Sequence, residues 1–256
     1  MPTAVITIAR YTVLEALRTK LLVLTLVLAA TGVLIARFLE RIAISDSDAI
    51  RTGIMASQYR LAAVVLMAAF VIVSHVRESN DKGLELLLSF PIRRSTYLLG
   101  RLLGHLGCAA WLAALFSLPM VPFAAGAPLA VWAASLWLEL SLVAAASVFC
   151  VITLNQVTSA LMAVIGFYLF ARTLPALQLI AGSQMAGDSG PVTRLMGHFL
   201  DALAFVTPRL DLFTRASWLV DAAPSAADLA SVAAQACIYT LLLCAAALFD
   251  LYRKNL

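Results

Sequence analysis

Six long apolar runs separated by short polar intervals dominate the chain. A helix that crosses a bilayer needs ~20 mostly apolar residues, and the runs are of that length. They predict spans at about residues 21–39, 58–76, 97–118, 129–154, 157–174 and 229–249. The expected class is therefore all-α integral membrane, with no stretch left for a separate soluble domain. The organisation read from the pattern is one transmembrane domain over residues 1–256. Within it lie an interfacial helix at 1–20, spans one to five at 21–180, an extracytoplasmic segment at 181–226, and span six with its tail at 227–256.

The intervals carry their own patterns. Residues 3–20 show helical two-sidedness, with Ile6, Val13 and Leu17 on one face and Thr7, Tyr11, Glu15 and Arg18 on the other. Arg10, Arg18 and Lys20 make this segment basic, as expected of a helix at a membrane interface facing anionic lipid. A cleaved signal peptide is the competing reading. The apolar run that follows is longer than usual for one and lacks a clear small-x-small cleavage site, so cleavage is rejected.

Residues 40–57 read as a short exterior loop containing Glu40, Arg41, Asp46, Asp48 and Arg51. The second run has a short apolar centre, so Arg60 and His75 are expected to reach outwards at its opposite ends. Pro119, Pro122, Gly126 and Pro128 mark a tight uncharged turn. The fifth span is expected to continue irregularly past Pro175, and Gly182, Gly187, Gly190 and Pro191 to break the chain. Val192, Leu195, Met196, Phe199, Leu203 and Val206 then recur at helical spacing and predict an amphipathic helix ending at Thr207–Pro208. This helix and the short apolar piece at 210–220, with Phe213 and Trp218, are expected on or in the outer leaflet.

Residues 77–101 form the most charge-dense stretch, between the second and third spans. Residues 84–90 are too apolar for a plain solvated loop and too short to cross. Asn80 and Asp81 are good helix caps, Gly83 loosens the start, and Pro91 cannot extend a helix beyond its first turn. About two turns of surface-lying helix are expected, held by Leu84, Leu87 and Leu88. Glu78 and Glu85, seven apart, share roughly one helix face. They either dock a basic groove of a partner or balance Arg77, Lys82, Arg93 and Arg94.

Composition agrees with a membrane class. Of the 256 residues 62% are hydrophobic and 12% charged, against about 25% charged in soluble domains. The net charge of +4 fits basic cytoplasmic loops, and no nucleic-acid partner is expected. With both termini inside, the inner face collects ten Lys and Arg against five acids, while the outer face has eight of each. Both termini are therefore expected in the cytoplasm.

Chemistry in the spans is sparse. Lys20, Lys82 and Lys254 are the only lysines, and none lies in a phosphate-binding GxxxxGK[ST] loop. No HExxH or GxSxG occurs, so neither catalysis nor a metal site is expected, and no cofactor is assigned to the chain itself. Cys108, Cys150, Cys237 and Cys244 read as buried small hydrophobes. Glu139 is the one acid deep in a span. It is either hydrogen-bonded at a bundle or subunit seam, beside a group such as Ser135, or part of a substrate path. Arg172 either reaches the outer edge or pairs with Glu139. Trp132 and Trp137 fit a span and its interfacial belt, and Trp218 the outer interface. No small-xxx-small seam stands out from the alanine-rich background.

The string RESNDKGLELLLSFPIRRSTYLLGRLLG, residues 77–104, resembles the RE-x(4)-G-xLE-LLLS-x-P-x-R-x-x-YLLGK pattern of ABC-2-type permeases grouped with multicopper-enzyme-maturation systems. ARYTVLEALRTK near the N-terminus and TPRLDLF at 207–213 are similar to further stretches of that class. Arg101 stands where members often carry Lys. The resemblance implies the transmembrane permease subunit of an ATP-driven exporter, without catalytic residues of its own. A separate ABC ATP-binding subunit would bind ATP and Mg. A second permease copy, identical or related, would complete the pathway among membrane lipids in a bacterial cytoplasmic membrane.

By the same resemblance, Arg77, Glu78, Asp81, Lys82, Glu85, Pro91, Arg93 and Arg94 couple to the ATPase, and Tyr11, Glu15 and Arg18 face it. Two other classes remain open. One is a non-transporting membrane scaffold that couples an ATPase to an envelope machine. The other is a secondary transporter using Glu139, although no inverted repeat is visible.

Overall fold

A computed structural model describes residues 2–42, 47–80, 93–124, 126–185, 191–213, 217–220 and 226–253. The described residues are helical apart from short turns. In chain order the helices are α1 (Pro2–Arg18), α2 (Leu21–Ile42), α3 (Ser47–Asn80), α4 (Arg94–Ser117), α5 (Ala127–Leu154), α6 (Val157–Met185), α7 (Pro191–Val206), α8 (Ser217–Val220) and α9 (Ala226–Arg253). Six of these, α2 to α6 and α9, are long and apolar enough to cross a membrane. The chain is a multi-pass, all-helical membrane protein.

The spans differ in how much they bury. α3 and α5 form the centre, and α9 is the most exposed, lying chiefly against α5. Its Ile238, Leu241, Leu242 and Phe249 face outwards. In a bilayer such side chains meet lipid, and close packing between helices falls to small residues instead. α5 follows that rule, with the consecutive residues Ala144, Ala145, Ala146 and Ser147 all buried over about one turn.

The same rule governs α1. Ile6 and Leu17 are exposed, whereas Thr12 and Ala16 are buried against α4. Gly100 and Gly104 make this possible. A Cβ on Gly104 would sit 2.5 Å from Thr12 Cβ and 2.9 Å from the Ala9 carbonyl oxygen; one on Gly100 would sit 2.8 Å from Ile8 Cβ. Gly100-x-x-x-Gly104 is thus a small-residue seam, and it lies inside the chain.

Several boundaries depart from the sequence pattern. The interval 40–57 is mostly helix, because α2 runs to Ile42 and α3 starts at Ser47. One of its two arginines is placed on an aromatic ring: Arg51 lies 4.4 Å from the Phe123 centroid, with Arg37 at 6.0 Å from the same ring. α6 continues as regular helix through Pro175 to Met185, past Gly182. Pro175 has no N–H to offer the Ala171 carbonyl, a loss that membrane helices tolerate where neighbours compensate.

The turns match the pattern. Leu118–Met120 forms a 3-10 turn, and Gly126, at φ 76°, starts α5. Asn155, at φ 55°, ends α5 in the left-handed region, its N–H donating to the Val151 carbonyl.

The helix predicted near 192–206 is α7. The following apolar piece is not a surface element: Leu210, Phe213 and Trp218 are buried in the bundle, next to α3, α5 and α6. Trp132 is fully buried, while Trp137 is partly exposed and donates its indole N–H to the Leu106 carbonyl at 3.1 Å. Only Cys108 of the four cysteines is buried; Cys237 is exposed and the other two lie between.

Candidate functional site

Two polar clusters interrupt the apolar interior. Each is built from pairs of residues four apart on one helix, which places both side chains on one face.

The first cluster joins α3, α5 and α6. Arg60, on α3, donates from Nη1 to Glu139 Oε2 at 2.6 Å and from Nη2 to Ser135 Oγ at 2.6 Å. Ser135 in turn donates to the Trp132 carbonyl, and the guanidinium lies 5.1 Å from the Trp132 ring centroid. Tyr168 donates its hydroxyl to the other Glu139 oxygen at 2.8 Å and accepts from Arg172 Nη1 at 2.7 Å.

Arg60 therefore does not reach outwards, and neither does His75, which is also buried. A guanidinium that finds a carboxylate, a hydroxyl and a ring face within the bundle has no reason to seek the interface. Glu139 is hydrogen-bonded, as one of its two readings required, and Ser135 is its neighbour on the shared guanidinium. Its carboxylate is fully enclosed within one chain rather than on an outer surface where a second copy would meet it. Arg172 is connected to Glu139 through the Tyr168 hydroxyl, not directly.

The second cluster joins α1, α3 and α4 around Arg101. Nη1 donates to Glu15 Oε2 at 3.1 Å and to Thr12 Oγ1 at 3.3 Å. Nη2 donates to Ser74 Oγ at 3.2 Å and to Glu78 Oε2. Ser74 donates to the other Glu15 oxygen at 2.8 Å, and the Tyr97 hydroxyl donates to Glu78 at 2.9 Å. The planar fork of arginine presents a separate nitrogen to each flank, whereas an ammonium has one nitrogen to share between them. The Gly100–Gly104 seam sits on the same stretch of α4, and it brings α1 close enough for Glu15 to be reached.

His105, one turn beyond Arg101, is fully buried with no hydrogen-bond partner on either ring nitrogen. Its ring packs edge-on to Phe70.

Two further bonds tie the end of α9 to the start of α4 and to the end of α5. Arg94, at the start of α4, donates to the Leu251 carbonyl near the end of α9 at 2.7 Å, a favourable place for a cation. Thr153, near the end of α5, donates to Asp250 at 2.6 Å.

The structure thus brings together Glu15, Glu78 and Arg101, which sequence reasoning treated as separate. Glu78 is committed inside the chain, to Arg101 and Tyr97, and is 19% exposed. Tyr11 is 68% exposed, and Arg18, Arg77 and Arg93 are exposed as well. Asp81, Lys82, Glu85 and Pro91, with the surface helix predicted at 84–90, lie outside the described residues. The Arg60–Glu139 pair was missed, although Ser135 with Glu139 and Tyr168 with Arg172 already stand at i, i+4 in the sequence. Neither protein-family models nor curated proteins give a match to the chain.

Proposed function

We propose that the chain is the transmembrane permease subunit of an ATP-binding-cassette exporter, driven by a separate ATPase at the end of the bundle that carries Arg101. The Arg101 clamp is the observation that carries this reading. The polar segment after Asn80 leaves α3 two residues beyond Glu78 and rejoins at α4 seven residues before Arg101. A displacement of that segment acts on both helices and, through Glu15, on α1 as well. The motif that resembles a coupling helix is therefore tied to three helices by one guanidinium.

In this reading both termini and the 77–101 segment face the cytoplasm of a bacterial cell, and α1 lies at that interface. Nucleotide binding in the partner shifts the population between inward- and outward-facing forms. ATP and Mg belong to the partner, and two permease copies enclose the path. The fully enclosed Arg60–Glu139 pair supports a structural role for Glu139, which weighs against a secondary transporter that must load and unload a proton there.

The test is to purify the chain from its native membrane with any bound P-loop ATPase, reconstitute both in liposomes and follow ATP hydrolysis and export. Nucleotide hydrolysis that requires the permease supports the proposal. A chain that carries flux with no ATPase bound overturns it, and ATPase coupling without flux would make it a scaffold.

A further inference from the structure

The elbow between α1 and α2 gathers cations that neither polar cluster uses. Arg18 ends α1, Lys20 sits in the turn, and Arg77 lies in the last turn of α3. All three are exposed. Among the described residues no carboxylate pairs with any of them. They line one open cleft of about 730 Å³, together with Tyr11 and Leu14.

A second cavity of about 210 Å³ adjoins it, and Lys20, Val73 and Arg77 line both. This one runs on between Leu21 and Leu24 of α2 and Leu66 and Phe70 of α3. Leu21 is also the first residue of the first membrane span. The cleft thus gathers charge just before the start of the first apolar span, and the slot is lined by carbon along that start. Glu15 borders both, but its carboxylate is held by Arg101 and Ser74.

We propose that this elbow is a binding site for an anionic phospholipid, whose phosphate sits among Arg18, Lys20 and Arg77 and whose acyl chain enters the slot beneath them. Each half alone would suit other ligands. Cations without a slot would serve an acidic protein surface, and a slot without cations would take any lipid. Their continuity at the membrane boundary selects a molecule with a negative head and an apolar tail. The bound lipid would wedge the elbow against α3, one helical turn from the Glu15–Arg101 contact. The inference stands without the ATPase.

The test uses the full chain in neutral detergent, with added phosphatidylglycerol or phosphatidylcholine, and counts retained lipid by native mass spectrometry. The protein should retain phosphatidylglycerol in clear preference. Replacing Arg18, Lys20 and Arg77 together by Ala should lower that retention roughly tenfold or more, while the charge-preserving set Arg18→Lys, Lys20→Arg and Arg77→Lys keeps it. Val73→Trp, which fills the slot and leaves the cations, should also abolish the preference.

Equal retention of the two lipids, or an unchanged preference in the alanine set, overturns the proposal. An unchanged preference in Val73→Trp, or competition by sn-glycerol 3-phosphate as effective as by the lipid, reduces the site to phosphate attraction and also overturns it. Loss of ATPase binding in the alanine set with lipid retention intact would make the cleft a protein-docking surface, which again refutes it.

Discussion

Arg60 and Glu139 stand 79 positions apart in the sequence and meet at 2.6 Å, with side chains 2% and 0% exposed. A buried ion pair is weak grounds for net stability, because desolvating both partners offsets their attraction. Removing one partner is another matter, since it strands the other charge in the bundle. Arg60→Met should therefore cost ~3–5 kcal/mol, and the double variant Arg60→Met with Glu139→Met should recover most of the loss. Thermal unfolding in detergent measures both. Independent, additive losses would mean that the two side chains do not hold one another.

Arg101 serves two helices from a third, with one nitrogen of its fork turned to each side. Arg101→Lys keeps the charge but should still lose the bond to one flank, either Glu15 or Glu78. The expected outcome is a loss of about 1–3 kcal/mol and faster proteolysis within residues 1–18. Unaltered stability and proteolysis in the lysine variant would show that charge alone suffices there.

The glycine seam makes a steric prediction. Gly104→Leu places a side chain where Thr12 and the Ala9 carbonyl already stand, so α1 must move away. Overpacking of this kind costs about 1–3 kcal/mol, and here it should also break the Glu15–Arg101 bond. Combined with Arg101→Lys, the losses should be less than additive, because both variants release the same contact. Strict additivity in a double-mutant cycle would separate the seam from the clamp.

His105 makes the opposite kind of prediction. Both ring nitrogens are buried without partners, and an unmet polar group costs ~1–3 kcal/mol. His105→Leu should consequently leave stability unchanged or raise it. A marked destabilisation would show that the ring makes a polar contact in the membrane.

The spans were legible in the sequence because length and hydropathy alone decide them. α5 begins two residues before its predicted start and ends at Leu154 as expected. The polar contacts were not legible, and Arg60 shows why. Reading the second span from residue 58 put Arg60 at its edge, where a long cation escapes to water. The helix in fact begins at Ser47, so Arg60 lies thirteen residues in and needs a partner. That partner is on another helix, and a single sequence carries no signal for pairing across 79 positions.

α1 adds a contact that the pattern did not show. The sequence put Ile6 and Leu17 on an apolar face at the membrane interface, and both are exposed. In this bundle the tight contact is made by Thr12 and Ala16 against glycine. The small-residue spacing at Gly100 and Gly104 was present in the sequence, but it did not stand out in a chain rich in alanine elsewhere.

The central claim is that the end of the bundle holding Glu15, Glu78 and Arg101 faces the cytoplasm, where an ATPase can act on the segment beyond Asn80. Ser79 is exposed one residue before α3 ends, which makes it a direct reporter. Ser79→Cys, treated with a membrane-impermeant maleimide, should label in inverted membrane vesicles above the wild-type background and stay unlabelled in intact cells. Labelling in intact cells would put that end of the bundle on the far side of the membrane and contradict the account.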